Sequence, residues 1–187
     1  MQVVSDDELQ ELDPAWSADG RTLAFGRSSL GNDESSRIGL FDLKTRQISE
    51  LPGSQMICCP RWSPDGRYIV AVTTSPHQDQ LMLYDVKKQE WRVLHTNTKP
   101  FSFGYLAWSR DSAYVYFDVN AGGDNRYFRL RIRDSKLEQP VNIKSLRQFP
   151  DDLGTTESWT GLGPDDTPLF VRDISTQEIY ALDLSLP

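Results

Sequence analysis

Residues 60–72 read Pro-Arg-Trp-Ser-Pro-Asp-Gly-Arg-Tyr-Ile-Val-Ala-Val, and this stretch decides the fold. Aspartate followed by glycine favours a tight turn, because the carboxylate accepts hydrogen bonds from backbone amides and glycine tolerates a positive φ. The apolar and β-branched run at 68–72 is typical of a strand. The stretch therefore predicts a hairpin in which Trp62 ends one strand and Tyr68 begins the next.

The same phrase recurs along the chain. Tryptophans at 16, 62, 108 and 159 each open a copy, at intervals of 46, 46 and 51 residues. A period of roughly 20–50 residues indicates a repeat architecture. We assign the defining positions of the repeat to turn formation and packing, not to catalysis. These positions are Trp16, Asp19, Gly20, Trp62, Asp65, Gly66, Trp108, Asp111, Trp159 and Asp165.

Each repeat divides into four predicted strands. The first ends at the tryptophan, the second is the apolar run after the turn, the third resembles Leu-Met-Leu-Tyr-Asp at 81–85, and the fourth is more polar. The predicted fold class is all-β, a β-propeller of four-stranded antiparallel blades with four repeats in this chain. The predicted boundaries are 1–10 for an orphan outer strand, 11–55, 56–98 and 99–146 for the first three blades, and 147–187 for a fourth blade that lacks its own outer strand.

The pattern Pro-x-Trp-Ser-Pro-Asp-Gly-Arg, followed some twenty residues later by Leu-Tyr-Asp-Val, resembles the WD-like repeat of TolB-type β-propellers. The best copy runs from Pro60 to Val86, and the copy from Pro14 to Leu43 is nearly as good. The chain is also similar to the C-terminal propellers of bacterial multidomain regulators. In the third repeat Ser112 replaces the turn glycine, which leaves the geometry of that turn open.

The two ends of the chain raise the question of ring closure. A predicted strand at 2–4 precedes the first repeat, whereas the last repeat reaches its third strand at 179–182 and has no fourth. Pairing these two ends covers an exposed sheet edge. Three arrangements follow: a four-bladed monomer, an eight-bladed homodimer formed by strand exchange, and the C-terminal part of a larger propeller.

Charge and hydropathy exclude two classes of partner. The net charge is −7, and an acidic surface repels phosphate, so we expect no nucleic-acid binding. The sequence contains no apolar run long enough to span a membrane and no signal peptide. Localisation stays open: resemblance to TolB implies the periplasm, and a complete chain implies the cytoplasm.

The sequence offers no catalytic constellation. It has no Gly-x-Ser-x-Gly motif, and its two histidines, His77 and His95, have no counterparts in the other repeats. Acidic stretches at 31–34 and 122–125 do not match an EF-hand loop and are interpreted as solvated loops. We therefore predict no enzymatic activity, no cofactor and no metal.

Cys58 and Cys59 are the only cysteines, and they are adjacent. Neighbouring cysteines seldom form a disulfide without distorting the peptide between them, and two ligands do not complete a structural zinc site. We interpret them as small buried side chains on the strand that leads to Trp62.

A binding surface is predicted on the rim where the loops between strands two and three meet the connections between blades. Aromatic side chains among charged ones are common anchors for a protein partner, although the phenylalanines of this set would alternatively fill gaps between blades. The candidate residues are Asp33, Glu34, His77, Gln78, Phe101, Phe103, Asp124, Asn125, Arg126 and Phe149.

The expected function is a non-catalytic scaffold that binds a protein or peptide through this rim. One alternative is the sensor propeller of a bacterial transcriptional regulator or kinase whose output domain is not in this sequence. A further alternative is a propeller lyase, or the accessory propeller of a prolyl-oligopeptidase-like protease.

Overall fold

The structure of the 187-residue chain is a computed structural model that describes residues 9–29, 31–74, 79–97, 102–120, 126–143, 159–172 and 174. Strands and turns make up this part of the chain, and no helix occurs in it. It therefore contains no helix that could span a bilayer. The all-β prediction is confirmed.

The strands form four antiparallel sheets in chain order, and we call them the first to fourth sheets. The first contains β1 (Leu9–Trp16), β2 (Thr22–Ser29), β3 (Asn32–Asp42) and β4 (Gln47–Glu50). The second contains β5 (Ile57–Trp62), β6 (Tyr68–Thr73), β7 (Gln80–Asp85) and β8 (Glu90–Thr96). The third contains β9 (Ser102–Phe103), β10 (Ala107–Trp108), β11 (Tyr114–Asn120), β12 (Arg126–Arg131) and β13 (Leu137–Val141). The fourth contains β14 (Thr160–Leu162) and β15 (Pro168–Phe170).

The turn after the tryptophan is held by a serine and an aspartate. In the second sheet, Ser63 Oγ accepts a hydrogen bond from Tyr68 N at 2.9 Å and donates to Asp65 Oδ1 at 2.6 Å. Asp65 Oδ1 also accepts from Arg67 N at 3.0 Å. The first and third sheets repeat these contacts. Each hairpin is thus closed by groups within its own turn.

Ser112 keeps the turn geometry although it replaces a glycine. Its φ is +59°, close to the +67° of Gly20 and the +73° of Gly66, so all three residues lie in the left-handed region. A non-glycine residue there is strained. Ser112 Oγ compensates by accepting a hydrogen bond from Asp65 N at 3.1 Å, which links the turns of the second and third sheets.

Three hydrophobic layers pack the sheets against one another. The first layer joins the first and second sheets through residues such as Ala24, Ile38, Ile57, Ile69 and Tyr84. The second layer joins the second and third sheets and contains Val70, Leu81, Leu83, Phe117 and Leu130. The third layer lies on the third sheet, around Tyr116, Tyr127 and Ile143, with Leu162 and Phe170 of the fourth sheet packed against it. Strands buried on both faces have apolar residues at consecutive positions, as in β6.

The fourth sheet departs from the predicted register. Trp159 was expected to end its first strand, but it lies just before β14 and is exposed. Leu162 precedes the turn instead. The turn is identified by the hydrogen bond that Thr167 N donates to Asp165 Oδ1 at 3.2 Å, which matches the one in the other turns. Five residues, 163–167, separate the two strands, as residues 63–67 do in the second sheet, so the whole hairpin is displaced by three residues relative to Trp159. The predicted strands at 2–4 and 179–182 lie outside the described residues, so the mode of ring closure stays a prediction.

Asp33 and Glu34 lie in a strand, and the prediction that they belong to a polar loop was wrong. β3 runs from Asn32 to Asp42 and includes both residues. The reversal from β2 is tight because Gly31 adopts a φ of +71°. The two acidic side chains are exposed on this hairpin.

Candidate binding site

A pocket of about 280 Å³ lies beside β2 and β3, and we call it the rim pocket. The first, second and third sheets all contribute to its wall. The wall is formed by Leu12, Gly26, Arg27, Ser28, Asp33, Ser36, Cys58, Cys59, Val72, Thr73, Thr74 and Phe103.

A bulge before the tryptophan places Cys58 and Cys59 together on this wall. Successive side chains of a regular strand point to opposite faces. Here the pairing of β5 shifts between Cys58 and Arg61, and Cys59 has a φ of +59° just before Pro60. As a result the two Sγ atoms lie 2.6 Å apart, and both residues are half-buried. The prediction of two buried side chains missed this arrangement, since the bulge is set by the backbone.

The first sheet shows that the bulge belongs to the repeat. Pairing of β1 shifts between Leu12 and Ala15, and Asp13 has a φ of +54° before Pro14. Asp13 Oδ1 accepts a hydrogen bond from Arg61 Nη2 at 2.9 Å. The Asp13–Arg61 salt bridge therefore connects the bulges of the first two sheets beside the pocket.

Arg27 supplies the cationic side chain of the rim pocket. Its Nε lies 3.6 Å from Glu11 Oε1, and both side chains are largely buried. Two other residues of the wall are joined by a hydrogen bond, in which Thr74 Oγ1 donates to the backbone oxygen of Asp33 at 2.9 Å. These contacts hold the polar part of the wall in place. Arg27 was not among the predicted site residues. Its position directly after the apolar run Leu-Ala-Phe-Gly could have indicated it.

Phe103 supplies the aromatic side of the wall. Its ring centroid lies 5.4 Å from that of Phe117 and 6.4 Å from that of His95. Burial lowers the pKa of His95, although a hydrogen bond with Asn97 acts in the opposite direction. Phe103 therefore packs on the second layer and also borders the pocket.

The structure brings two of the predicted rim residues to the pocket, namely Asp33 and Phe103. Glu34 lies nearby on β3, where its amide donates to Asn32 Oδ1 at 3.1 Å. Arg126 is exposed at the start of β12 and does not line the pocket. The other candidates lie outside the described residues: His77, Gln78, Phe101, Asp124, Asn125 and Phe149.

A second pocket, of about 580 Å³, lies at the opposite end of the second and third sheets. Arginines line it, but several are engaged within the protein. Arg131 binds Asp134 through two hydrogen bonds of 2.9 and 2.8 Å, and Arg92 Nη2 donates to Ile132 O at 3.0 Å. The guanidinium of Arg67 lies 4.8 Å from the ring centroid of Tyr68. These side chains stabilise the turns, and the rim pocket is the stronger candidate for a ligand.

In the described part of the chain, no three His, Cys, Asp or Glu side chains converge in a way that would hold a metal ion.

Comparison with known proteins identifies relatives that are much longer than this chain. No protein-family profile matches. An uncharacterized peptidase of Bacillus subtilis, YuxL, is 26% identical over 149 residues, which cover 77% of this chain and 22% of the relative. The Tol-Pal system protein TolB of Nitratidesulfovibrio vulgaris is 33% identical over 90 residues, 47% of this chain and 19% of the relative. The matches thus span only about a fifth of each relative.

A solved structure extends the similarity over nearly the whole chain. TolB from Acinetobacter baumannii superposes with a TM-score of 0.67 at 18% identity, and the match covers 94% of this chain and 40% of that one. At this level of identity the similarity concerns the fold alone.

Proposed function

We propose that this chain, which has a TolB-type β-propeller fold, is a non-catalytic scaffold that binds a peptide segment of a protein partner at the rim pocket. The observation that carries the proposal is the convergence of three sheets on one pocket at the predicted rim. Its volume of about 280 Å³ lies at or below the roughly 300–1,000 Å³ of typical small-molecule sites. A pocket of this size suits one or two anchoring side chains of a peptide.

The lining indicates what kind of segment would bind. Leu12, which is 54% exposed, and Phe103 offer apolar surface for an apolar or aromatic anchor. Arg27 and Asp33 provide one charge of each sign at the wall. Burial of an apolar side chain supplies most of the affinity of such sites, and the polar groups orient the peptide backbone. We therefore expect a ligand with one apolar anchor flanked by polar residues.

One comparison favours a second candidate function. The similarity to an uncharacterized peptidase covers 77% of this chain but 22% of the peptidase. The chain would then be the accessory propeller of a prolyl-oligopeptidase-like protease, and the rim pocket would contact a peptide substrate or a neighbouring domain. In this case the isolated chain would still lack turnover.

Selection from a displayed random-peptide library against the immobilised full chain tests the proposal, with affinities of the enriched peptides measured by fluorescence titration. We expect enrichment of peptides that carry an apolar anchor. Leu12→Asp should weaken the binding of these peptides at least tenfold, because it places a charge where the anchor is desolvated. Leu137→Asp is the matched control: Leu137 is 37% exposed on β13, away from the pocket, and its replacement should leave affinity unchanged.

Three outcomes would contradict the scaffold role. The first is that no peptide is enriched, and the second is that both substitutions weaken binding equally. The third is hydrolysis of the enriched peptides by the chain alone.

A further inference from the structure

We propose that Cys58 and Cys59 form a redox-active dithiol, which a hydroperoxide oxidises to a vicinal disulfide in the wall of the rim pocket. This inference goes beyond the proposed scaffold function and does not depend on it. It rests on the position of the two sulfur atoms, on the origin of the bulge that places them, and on their access to the pocket.

The two sulfur atoms are in contact. Cys58 Sγ and Cys59 Sγ lie within hydrogen-bonding distance of each other, and either could be the donor. In a regular strand these side chains would point to opposite faces and the sulfurs would be far apart. The bulge in β5 and the left-handed φ of Cys59 remove this obstacle. The two sulfurs therefore lie on the same side of the strand, within reach of each other.

The bulge exists independently of the thiols. Asp13 occupies the equivalent place in the first sheet, with a φ of +54° and a proline after it, and no cysteine is present there. The backbone distortion that ordinarily disfavours a disulfide between neighbours is therefore part of the repeat. The second repeat carries two thiols on a strand whose bulge does not depend on them.

The pocket gives an oxidant access to the pair. Both cysteines are half-buried and line the rim pocket, whose opening faces solvent. Charged neighbours of the wall are Arg27 and Asp33, and Asp13 approaches Cys59 from the first sheet. Hydrogen peroxide is small and uncharged, and a pocket of about 280 Å³ has room for it beside the thiols.

The surroundings of the pair distinguish the roles of the two thiols. The hydrogen bond with Cys58, burial and the negative charge of Asp13 raise the pKa of Cys59. We therefore assign the attack on the oxidant to Cys58 and the second step, which closes the disulfide, to Cys59.

The reaction is balanced in two steps. The Cys58 thiolate attacks one peroxide oxygen, the O–O bond breaks, and the departing hydroxide takes up a proton to form water, which leaves a sulfenic acid on Cys58. The Cys59 sulfur then displaces this hydroxyl group: the S–S bond forms, the S–O bond breaks, and the Cys59 proton leaves with the hydroxide as a second water. The two sulfurs lose two electrons in total, and these electrons reduce the peroxide.

The product should be readily reduced again. Consecutive Cα atoms lie about 3.8 Å apart, below the usual range of about 4.4–6.8 Å for disulfides. A disulfide that deviates from favoured geometry is strained and more reducible. The pair would therefore cycle between the two states rather than serve as a permanent structural bond.

Oxidation of the native full chain tests the proposal. The chain is treated with hydrogen peroxide, alkylated with iodoacetamide, and analysed by intact mass and peptide mapping. We expect a product lighter than the dithiol by two hydrogen atoms, unalkylated at both cysteines, monomeric on a non-reducing gel, and restored by dithiothreitol. Cys59→Ser should instead stop at a sulfenic acid on Cys58 that dimedone traps. Cys58→Ser should react much more slowly.

A gain of oxygen atoms without the disulfide, or a disulfide found only between two chains, would refute the proposal. A second measurement examines the geometry without oxidation. Phenylarsine oxide, a trivalent arsenical, should bind the reduced wild-type chain in a one-to-one ratio and resist competition by a monothiol. Weak binding that matches that of either serine variant would show that the sulfurs do not act together. Neither readout involves a peptide ligand, so failure here is separate from failure of the scaffold function.

Discussion

Trp16 and Trp108 occupy the same position of the repeat but have different surroundings. Trp108 Nε1 donates to the backbone oxygen of Arg61 at 2.8 Å, and its ring stacks on Tyr68 with a centroid distance of 6.5 Å and an interplanar angle of 11°. Both partners belong to the preceding sheet. Trp16 is 59% exposed. The tryptophan of the repeat therefore joins a blade to the one before it, whereas the turn that follows is stabilised by its own residues.

Trp62 supports this conclusion. It packs against the first layer, between the first and second sheets, and its Nε1 donates to Gly66 O of its own turn at 3.2 Å. Its ring therefore contributes to a contact with the preceding sheet, as that of Trp108 does.

The largest effect is expected for Trp108→Ala. This substitution removes the stack on Tyr68, the hydrogen bond to Arg61 and packing in the second layer, so the free energy of unfolding should fall by about 3 kcal/mol. Trp108→Phe keeps the ring contact and should lose about 1 kcal/mol, the contribution of the hydrogen bond. Urea denaturation followed by circular dichroism measures both. Equal losses for the two variants would mean that the ring contact contributes little.

A smaller effect, equal in the two repeats, is expected when the turn aspartates lose their charge. Hydrogen bonds from Ser17 and Arg21 lower the pKa of Asp19, and those from Ala113 and Ser109 lower the pKa of Asp111. A carboxyl group whose pKa is lower in the folded state stabilises the protein above its unfolded pKa of about 3.9 and loses this contribution as the pH falls through the folded pKa.

The stability difference between wild type and Asp19→Asn should therefore shrink below a pH of about 4. Asp111→Asn should show the same profile, because both turns are held by the same local contacts. Urea denaturation across the acid range measures the two profiles. A clearly different profile for Asp111 would indicate that the neighbouring sheets, and not the turn alone, determine its ionisation.

The smallest effect is expected for Trp16→Ala. The free energy of unfolding should fall by less than about 1 kcal/mol, because Trp16 is largely exposed. The same denaturation experiment serves as the measurement, and Trp108→Ala is the matched comparison. A loss as large as that of Trp108→Ala would show that Trp16 is covered in solution. Its partner would then be a further blade or a second copy of the chain.

Local features of the fold were predictable from the sequence. The register of Trp62 opposite Ile69 and the contacts of Asp65 follow from groups a few residues apart, so a single repeat contains the information. Ser112 shows the limit of such reasoning, because its hydrogen-bond partner Asp65 lies 47 residues away. In the fourth sheet, Leu162 rather than Trp159 precedes the turn, and the tryptophan spacing did not indicate this shift.

The candidate site was predicted only in part. Asp33 and Phe103 were assigned to the rim from the order of strands, and both line the pocket. Arg27 and the two cysteines were not assigned to it, since their convergence requires three sheets and a bulge that reverses the usual alternation of side chains.

The amino-acid sequence by itself determined the repeat, the turn chemistry and the all-β class, because these depend on hydrogen bonds and apolar runs within one hairpin. Only the tertiary structure decided which tryptophans are covered, where the rim pocket lies and that Cys58 and Cys59 face each other. The covering of the tryptophans and the position of the pocket depend on contacts between sheets, where residues about one repeat length apart pack together. The cysteine pair depends on the backbone bulge in β5.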